Sequence, residues 1–153
     1  MALRQLHSDG LGWLFLRVVS FAAVVPFLMR LRLPLMNRLL ERRIASAVAA
    51  GGDSDQPEEI VRCVESALAL GSPFVRSGCL TRGLTLYYFL RRTGLAVTLC
   101  FGARSKDGQL REAPGHCWVE KEGEPFLERG NPYEYSVPIL SLPADLPKPA
   151  EKQ

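Results

Sequence analysis

The sequence predicts an α+β domain: helices first, then a small antiparallel sheet. Three observations carry this. Apolar residues recur at helical spacing between residues 57 and 92, the pattern changes from Ala96 onward to β-formers divided by turn signals, and helices and strands follow one another in blocks rather than alternating. With 153 residues, 47 % of them hydrophobic, the chain can bury the core of one domain.

The net charge of +3 hides an asymmetry. Residues 1–50 hold seven arginines against Asp9 and Glu41, so the basic charge belongs to this first third. Aromatic residues are not interleaved with the arginines in any single-strand-binding pattern, and a membrane surface or an acidic partner explains the charge as well as nucleic acid would; no nucleic-acid partner is expected. Residues 11–36 are the most apolar part, yet the uninterrupted apolar core from Val18 to Met29 is only about twelve residues, where a spanning helix needs roughly 20. It continues into Arg30-Leu-Arg-Leu-Pro rather than a small-residue cleavage site, so it does not read as a secretory signal. Two readings remain. One is a pair of short helices, broken near Pro26 or Pro34, packed on the following domain; the other is an interfacial helix held at the inner membrane face by its arginines and Trp13. A second basic helix is expected over residues 37–50. The stretch Gly51-Gly-Asp-Ser-Asp-Gln56 reads as a linker. The expected organisation is thus a basic apolar helical segment over 1–50, a main domain over 57–142 and a disordered tail over 143–153.

Asp55 followed by Glu58, with Pro57 between them, suggests a capping box opening a helix. Ile60, Val61, Val64, Ala67 and Leu68 form its apolar face, and Glu58, Glu59, Arg62 and Glu65 read as its solvated face. The loop of residues 72–78 delivers Cys79 to the start of a further helix, which ends after Arg91-Arg92 at Gly94. Tyr87 and Tyr88 fall on or near its buried stripe. Ala96 to Gly102 alternates as a strand, residues 105–109 form a turn, and Gly115-His-Cys-Trp-Val-Glu120 pairs with Pro125-Phe-Leu-Glu128 as a hairpin. Beyond Glu128 regularity is lost among five prolines, with residues 133–142 expected to lie across the sheet.

Cys63, Cys79, Cys100 and Cys117 are 16, 21 and 17 residues apart. No pair has the close spacing typical of zinc sites, and the chain is unlike a disulfide-stapled module, so reduced thiols in a cytoplasm are expected, without metal or cofactor. Cys63 and Cys100 read as small buried hydrophobes. Cys79 differs, because a thiol in the first turn of a helix lies beside unpaired N–H groups and the positive end of the helix, a placement that favours an anion on sulfur. Hairpin parity then brings a base and an acid together. If residues 121–123 form a three-residue loop with Gly123 left-handed, Trp118 opposes Phe126 and His116 opposes Glu128; a two-residue loop would set Cys117 against Glu128 instead. The three-residue register is the expectation.

Cys79-Leu-Thr-Arg82, the helix ending Arg-Arg-Thr-Gly94, the strand ending at Phe101-Gly, and Gly115-His-Cys-Trp-Val-Glu120 with Glu128 resemble the transglutaminase-like cysteine proteases of lasso peptide biosynthesis, over roughly residues 57–130. The resemblance is to the C-terminal half of the microcin-processing B protein. It implies a papain- and transglutaminase-like core with the nucleophile at a helix N-terminus packed on a small antiparallel sheet. By position, Cys79 is then the nucleophile, His116 the base and Glu128 the orienting acid, with Arg82 and Trp118 as substrate-binding or supporting residues. Glu128 stands where the family usually carries Asp, and Cys117 where it usually carries Ala. Arg82 reads either as a thiolate or substrate contact or as the ion-pair partner of a carboxylate such as Glu120. The implied reaction is removal of a leader from a ribosomal precursor peptide. Residues 1–56 lack the strand and helix alternation of a leader-recognition module, so that role is expected in a separate protein beside an ATP-dependent cyclase. Amide transfer and a catalytically inactive peptide-binding or membrane scaffold are the alternatives, since the same three residues suit each.

Overall fold

Eight of the fourteen residues of the helix from Cys79 to Arg92 are buried and none is exposed, and the other helices pack against it. The computed structural model describes residues 2–70, 75, 78–106, 109–110, 115–128 and 130–143. The expected disordered tail beyond 143, most of the 72–78 loop and the tip of the 105–109 turn lie outside them. The chain forms two compact units, Met1–Leu95 and Ala96–Gln153.

The first unit contains α1 (Ala2–Leu28), α2 (Leu33–Ala49), α3 (Pro57–Leu70) and α4 (Cys79–Arg92). The chain break expected near the N-terminal prolines is there: Pro26 sits in the last turn of α1, where it removes a helical bond just before the helix ends, and Pro34 in the first turn of α2, where a missing N–H costs least. α1 packs on α3 and α4 through Leu14, Val18, Ala22 and Val25, spaced three or four residues apart and at most 1 % exposed. Phe21 stacks flat on Tyr88 at 4.2 Å and meets Phe89 edge-on at 5.8 Å. Tyr87 is fully buried and gives its hydroxyl proton to Glu41 of α2 at 2.5 Å, while Arg91 pairs with the same carboxylate at 3.0 Å. Burial and the Glu41 carboxylate both push the Tyr87 phenol up, so it remains a donor.

The stretch expected to be a linker is instead a hub of ion pairs. Asp53 takes a bidentate contact from Arg92 at 2.8 and 3.1 Å and a third from Arg17 at 2.6 Å, and its own N–H bonds the Arg92 carbonyl at 2.9 Å. Arg17 also reaches Asp55 at 3.2 Å, so the expected capping carboxylate is engaged with α1. Gln56 precedes α3 and its carbonyl accepts from Glu59 and Ile60. Burial raises the Asp53 carboxyl, but the hydrogen bonds and charges of Arg92 and Arg17 outweigh it and hold the group below its ordinary value. Asp55, with only one guanidinium beside it, is pushed up by burial and by Asp53 and Glu59.

The second unit is a sheet in which β1 (Val97–Lys106) lies between β3 (His116–Lys121) and β5 (Ser136–Leu142), all antiparallel; β2 (Gln109–Leu110) pairs with the far end of β1, and β4 (Glu124–Phe126) with β3. The α+β expectation holds. The stretch after Glu128 is more regular than its prolines suggest: after a 3-10 turn at Pro132–Glu134 it joins the sheet at an edge rather than lying across it. Its Pro138 is accommodated because the register shifts there, leaving Ile139 without an opposite residue.

Replacing Asp53 by Asn should destabilise the helical unit by about 2 kcal/mol at neutral pH, since two guanidiniums lose their charged acceptor. The lowered folded value makes the wild-type advantage fully present above the ordinary aspartate value of 3.8 and lost as pH falls through the folded one. Urea unfolding of both proteins down this range checks it: the gap between the curves should close only below that value.

Candidate active site

Cys79 is the first residue of α4, following Gly78, whose carbonyl accepts from the Arg82 N–H at 3.0 Å. The Cys79 amide and the two after it therefore precede the first intrahelical bond and point outward from the helix start. The thiol is half-buried, whereas Cys63, Cys100 and Cys117 are each only 4 % exposed. Burial pushes the Cys63 thiol up, and burial with the Glu120 carboxylate pushes Cys100 up further, which leaves both protonated and inert. Arg82, one turn beyond Cys79, is tied to α3 by a 2.8 Å bond from Nε to Glu65, a carboxylate that sequence reading does not pair with it. Tyr87 and Tyr88 belong to the packing of the helices, as expected.

In the second unit, His116, Trp118 and Glu120 alternate along β3 and share one face. The Trp118 indole is fully buried beside the imidazole, ring centres 5.8 Å apart and planes within 19°. Space for it comes from Gly102, the residue opposite His116 on β1: a Cβ there would lie 2.7 Å from the indole and 2.9 Å from the Val137 carbonyl. The indole N–H donates to Glu120 at 2.8 Å, and the Tyr133 hydroxyl donates to the same oxygen. Burial and that carboxylate push the Tyr133 phenol up. The buried acid is thus met by the indole and phenol donors, with the Cys100 thiol beside it, as its enclosure requires.

Glu128 reaches His116: Oε2 lies 3.8 Å from Nε2. The pairing is real but the expected route to it is not. The hairpin loop has two residues, Glu122 and Gly123, at φ 55° and 82°, and Lys121 opposes Glu124, Glu120 opposes Pro125 and Val119 opposes Phe126. The sequence points to the longer loop because that loop pairs Trp118 with Phe126; the shorter one requires a left-handed Glu, which is unfavourable. The shorter loop places Lys121 opposite Glu124, a favourable charge pair, and avoids two opposed glutamates. Continued, this ladder would carry Glu128 to the face of Cys117. The ladder stops at Phe126, however, and Leu127 turns left-handed at φ 64°, so the alternation is broken and the carboxylate returns to the imidazole.

The Tyr135 hydroxyl also lies at Nε2, 3.4 Å away, with the ring edge-on to the imidazole. Both of these polar contacts fall on one ring nitrogen. At 3.8 Å the acid acts on the ring through charge, beyond hydrogen-bond length. Sequence reading missed Tyr133, Tyr135 and the enclosed role of Glu120. A signal existed in Asn131-Pro132, where the Asn131 side chain accepts from the Tyr133 N–H at 3.2 Å and starts the turn that aims both tyrosines.

A family model described as the transglutaminase-like superfamily matches residues 21–141. The match takes in the end of α1, all of α2, Cys79 in the first unit and His116 and Glu128 in the second. Searches of curated proteins and of solved structures returned no match.

Gly102→Ala should destabilise the sheet by about 1–3 kcal/mol, because the indole on one side is enclosed and the atom on the other is backbone. Near-UV circular dichroism should show Trp118 displaced. An unchanged spectrum together with unchanged stability would mean that the close approach does not hold the ring.

Proposed function

The chain belongs to the transglutaminase-like superfamily, and on that footing we propose that it is a cysteine peptidase removing the leader from a ribosomally made precursor peptide, as in lasso peptide maturation. The superfamily generally includes cysteine peptidases and transferases, and the reading narrows that range. His116 takes the thiol proton of Cys79, and the sulfur attacks the scissile carbonyl. As the tetrahedral adduct collapses, the imidazolium returns the proton to the departing amine and a thioester remains. Water, deprotonated by the same imidazole, then releases the acid and restores the thiol. The backbone N–H groups at the start of α4 are the natural donors to the oxyanion.

The supporting observation is the His116–Glu128 pair. An acid at Nε2 stabilises the imidazolium formed in each half-reaction and leaves Nδ1 for the sulfur, the third-group role of a catalytic triad. Trp118 holds the plane of the ring. Arg82 supports the first turns of α4 through Glu65. In this reading leader recognition and ATP-dependent cyclisation belong to separate proteins, and the peptidase works in the cytoplasm. An amine in place of water would make the same intermediate a route to amide transfer.

Alkylation at neutral pH tests the central pair. Burial alone disfavours three of the four thiols, so selectivity for Cys79 is not diagnostic; its dependence on His116 is. His116→Ala should slow Cys79 alkylation at least about tenfold. Cleavage of a leader-bearing precursor peptide, followed by mass spectrometry, should vanish in Cys79→Ala. It should fall by roughly 10²–10⁴ in His116→Ala. Glu128→Gln should lower kcat by about 10², with partial activity in Glu128→Asp. Unchanged alkylation in His116→Ala, with no cleavage by the wild type, would identify a non-catalytic peptide-binding module instead.

A further inference from the structure

We propose that the turn between α1 and α2, with the adjoining outer face of α1, is a docking surface for an anionic lipid bilayer. The face of α1 opposite its packed stripe carries Trp13, Leu16, Val24 and Phe27 at 63, 55, 47 and 63 % exposure. Past the turn Leu33 and Leu35 are exposed as well, at 36 and 47 %. Apolar groups of this size, clustered on one face, mark an interaction surface rather than ordinary scatter.

Along the chain, the charges of this stretch have one sign. Between Asp9 and Glu41 the chain contains no acidic residue. Arg17 is neutralised by Asp53 and Asp55 and cannot contribute. Arg30, Arg32 and Arg38 are exposed at and just beyond the turn, and the Arg30 guanidinium lies 5.4 Å from the centre of the Phe27 ring. An apolar surface with exposed arginines that pair with no carboxylate among the described residues, and with an indole at its far end, complements the interface of an anionic bilayer: apolar groups enter the acyl boundary while arginines meet phosphates.

Length and composition alone would let Gly10–Leu28 cross a bilayer. Its other side is occupied, however, because Leu14, Val18, Ala22 and Val25 are enclosed against α3 and α4. A helix so committed can lie on a membrane but cannot pass through it without dismantling the helical unit. The surface is separate from the proposed chemistry, so its test does not require peptidase activity.

The test uses the full chain with vesicles of equal parts phosphatidylcholine and phosphatidylglycerol, beside vesicles of phosphatidylcholine alone. The chain has two tryptophans, of which Trp118 is already fully buried, so a blue shift of emission on binding reports Trp13. Sedimentation with the mixed vesicles should be accompanied by that shift. Trp13→Phe should abolish the shift, and the Arg30→Gln/Arg32→Gln double variant should bind about 25-fold more weakly, roughly fivefold per charge. Far-UV circular dichroism should show both variants folded as the wild type. Absence of binding to the mixed vesicles, or equal binding to both kinds, would overturn the proposal. So would self-association that shields Trp13 without lipid, pointing to a second copy as the occupant, or association that survives high salt and alkaline extraction, pointing to a spanning helix.

Discussion

The plane of the His116 imidazole is held by an enclosed indole. Trp118 lies almost parallel to His116, kept in place from behind by the absence of a side chain at Gly102 and at its N–H by the Glu120 carboxylate. That carboxylate is itself tolerated in the interior because the Tyr133 hydroxyl supplies its second donor. The 3-10 turn that aims Tyr133 also brings Tyr135 to the imidazole. One face of one short strand thus links the ring to a buried polar network, so the ring is positioned by packing rather than by its own two torsions.

The acid arrives differently. Strand parity is rigid, and the hairpin adopts the register that by parity alone would send Glu128 away from His116. One left-handed residue, Leu127, restores the meeting. Such backbone costs energy for a side chain branched beyond Cβ and is retained only where its surroundings impose it. Its position immediately before the acid ties that cost to the His116–Glu128 pair.

In the helical unit the same economy of contacts recurs. A single carboxylate, Asp53, joins the loop before α3 to α1 and to the end of α4, and Glu41 joins α2 to α4 through Tyr87 and Arg91. The helix that begins with Cys79 is therefore anchored along its length by burial and at its far end by charge. This explains why residues 51–56, rich in Gly, Asp and Ser, do not behave as the hinge their composition suggests. Composition describes what a loop can do when nothing grips it; two arginines brought from distant helices grip this one.

Much of the fold was legible in the residue pattern. Helical spacing, the proline pair and the terminal glycine placed α2, α3 and α4 to within a few residues, and alternation placed β1 and the hairpin, because these features depend on neighbours close in sequence. Cys79 at a helix start and the shared ground of His116 and Glu128 were also foreseeable from side-chain chemistry and local wording. The two-residue loop, the reversal at Leu127, the strand among the late prolines and the gripping of Asp53 were not. Each follows from a balance between a local penalty and partners far away in sequence: a cross-strand lysine and glutamate, an imidazole, a central strand needing a neighbour, two guanidiniums. Local preference names the candidates, and only the folded chain brings together the partners that decide among them.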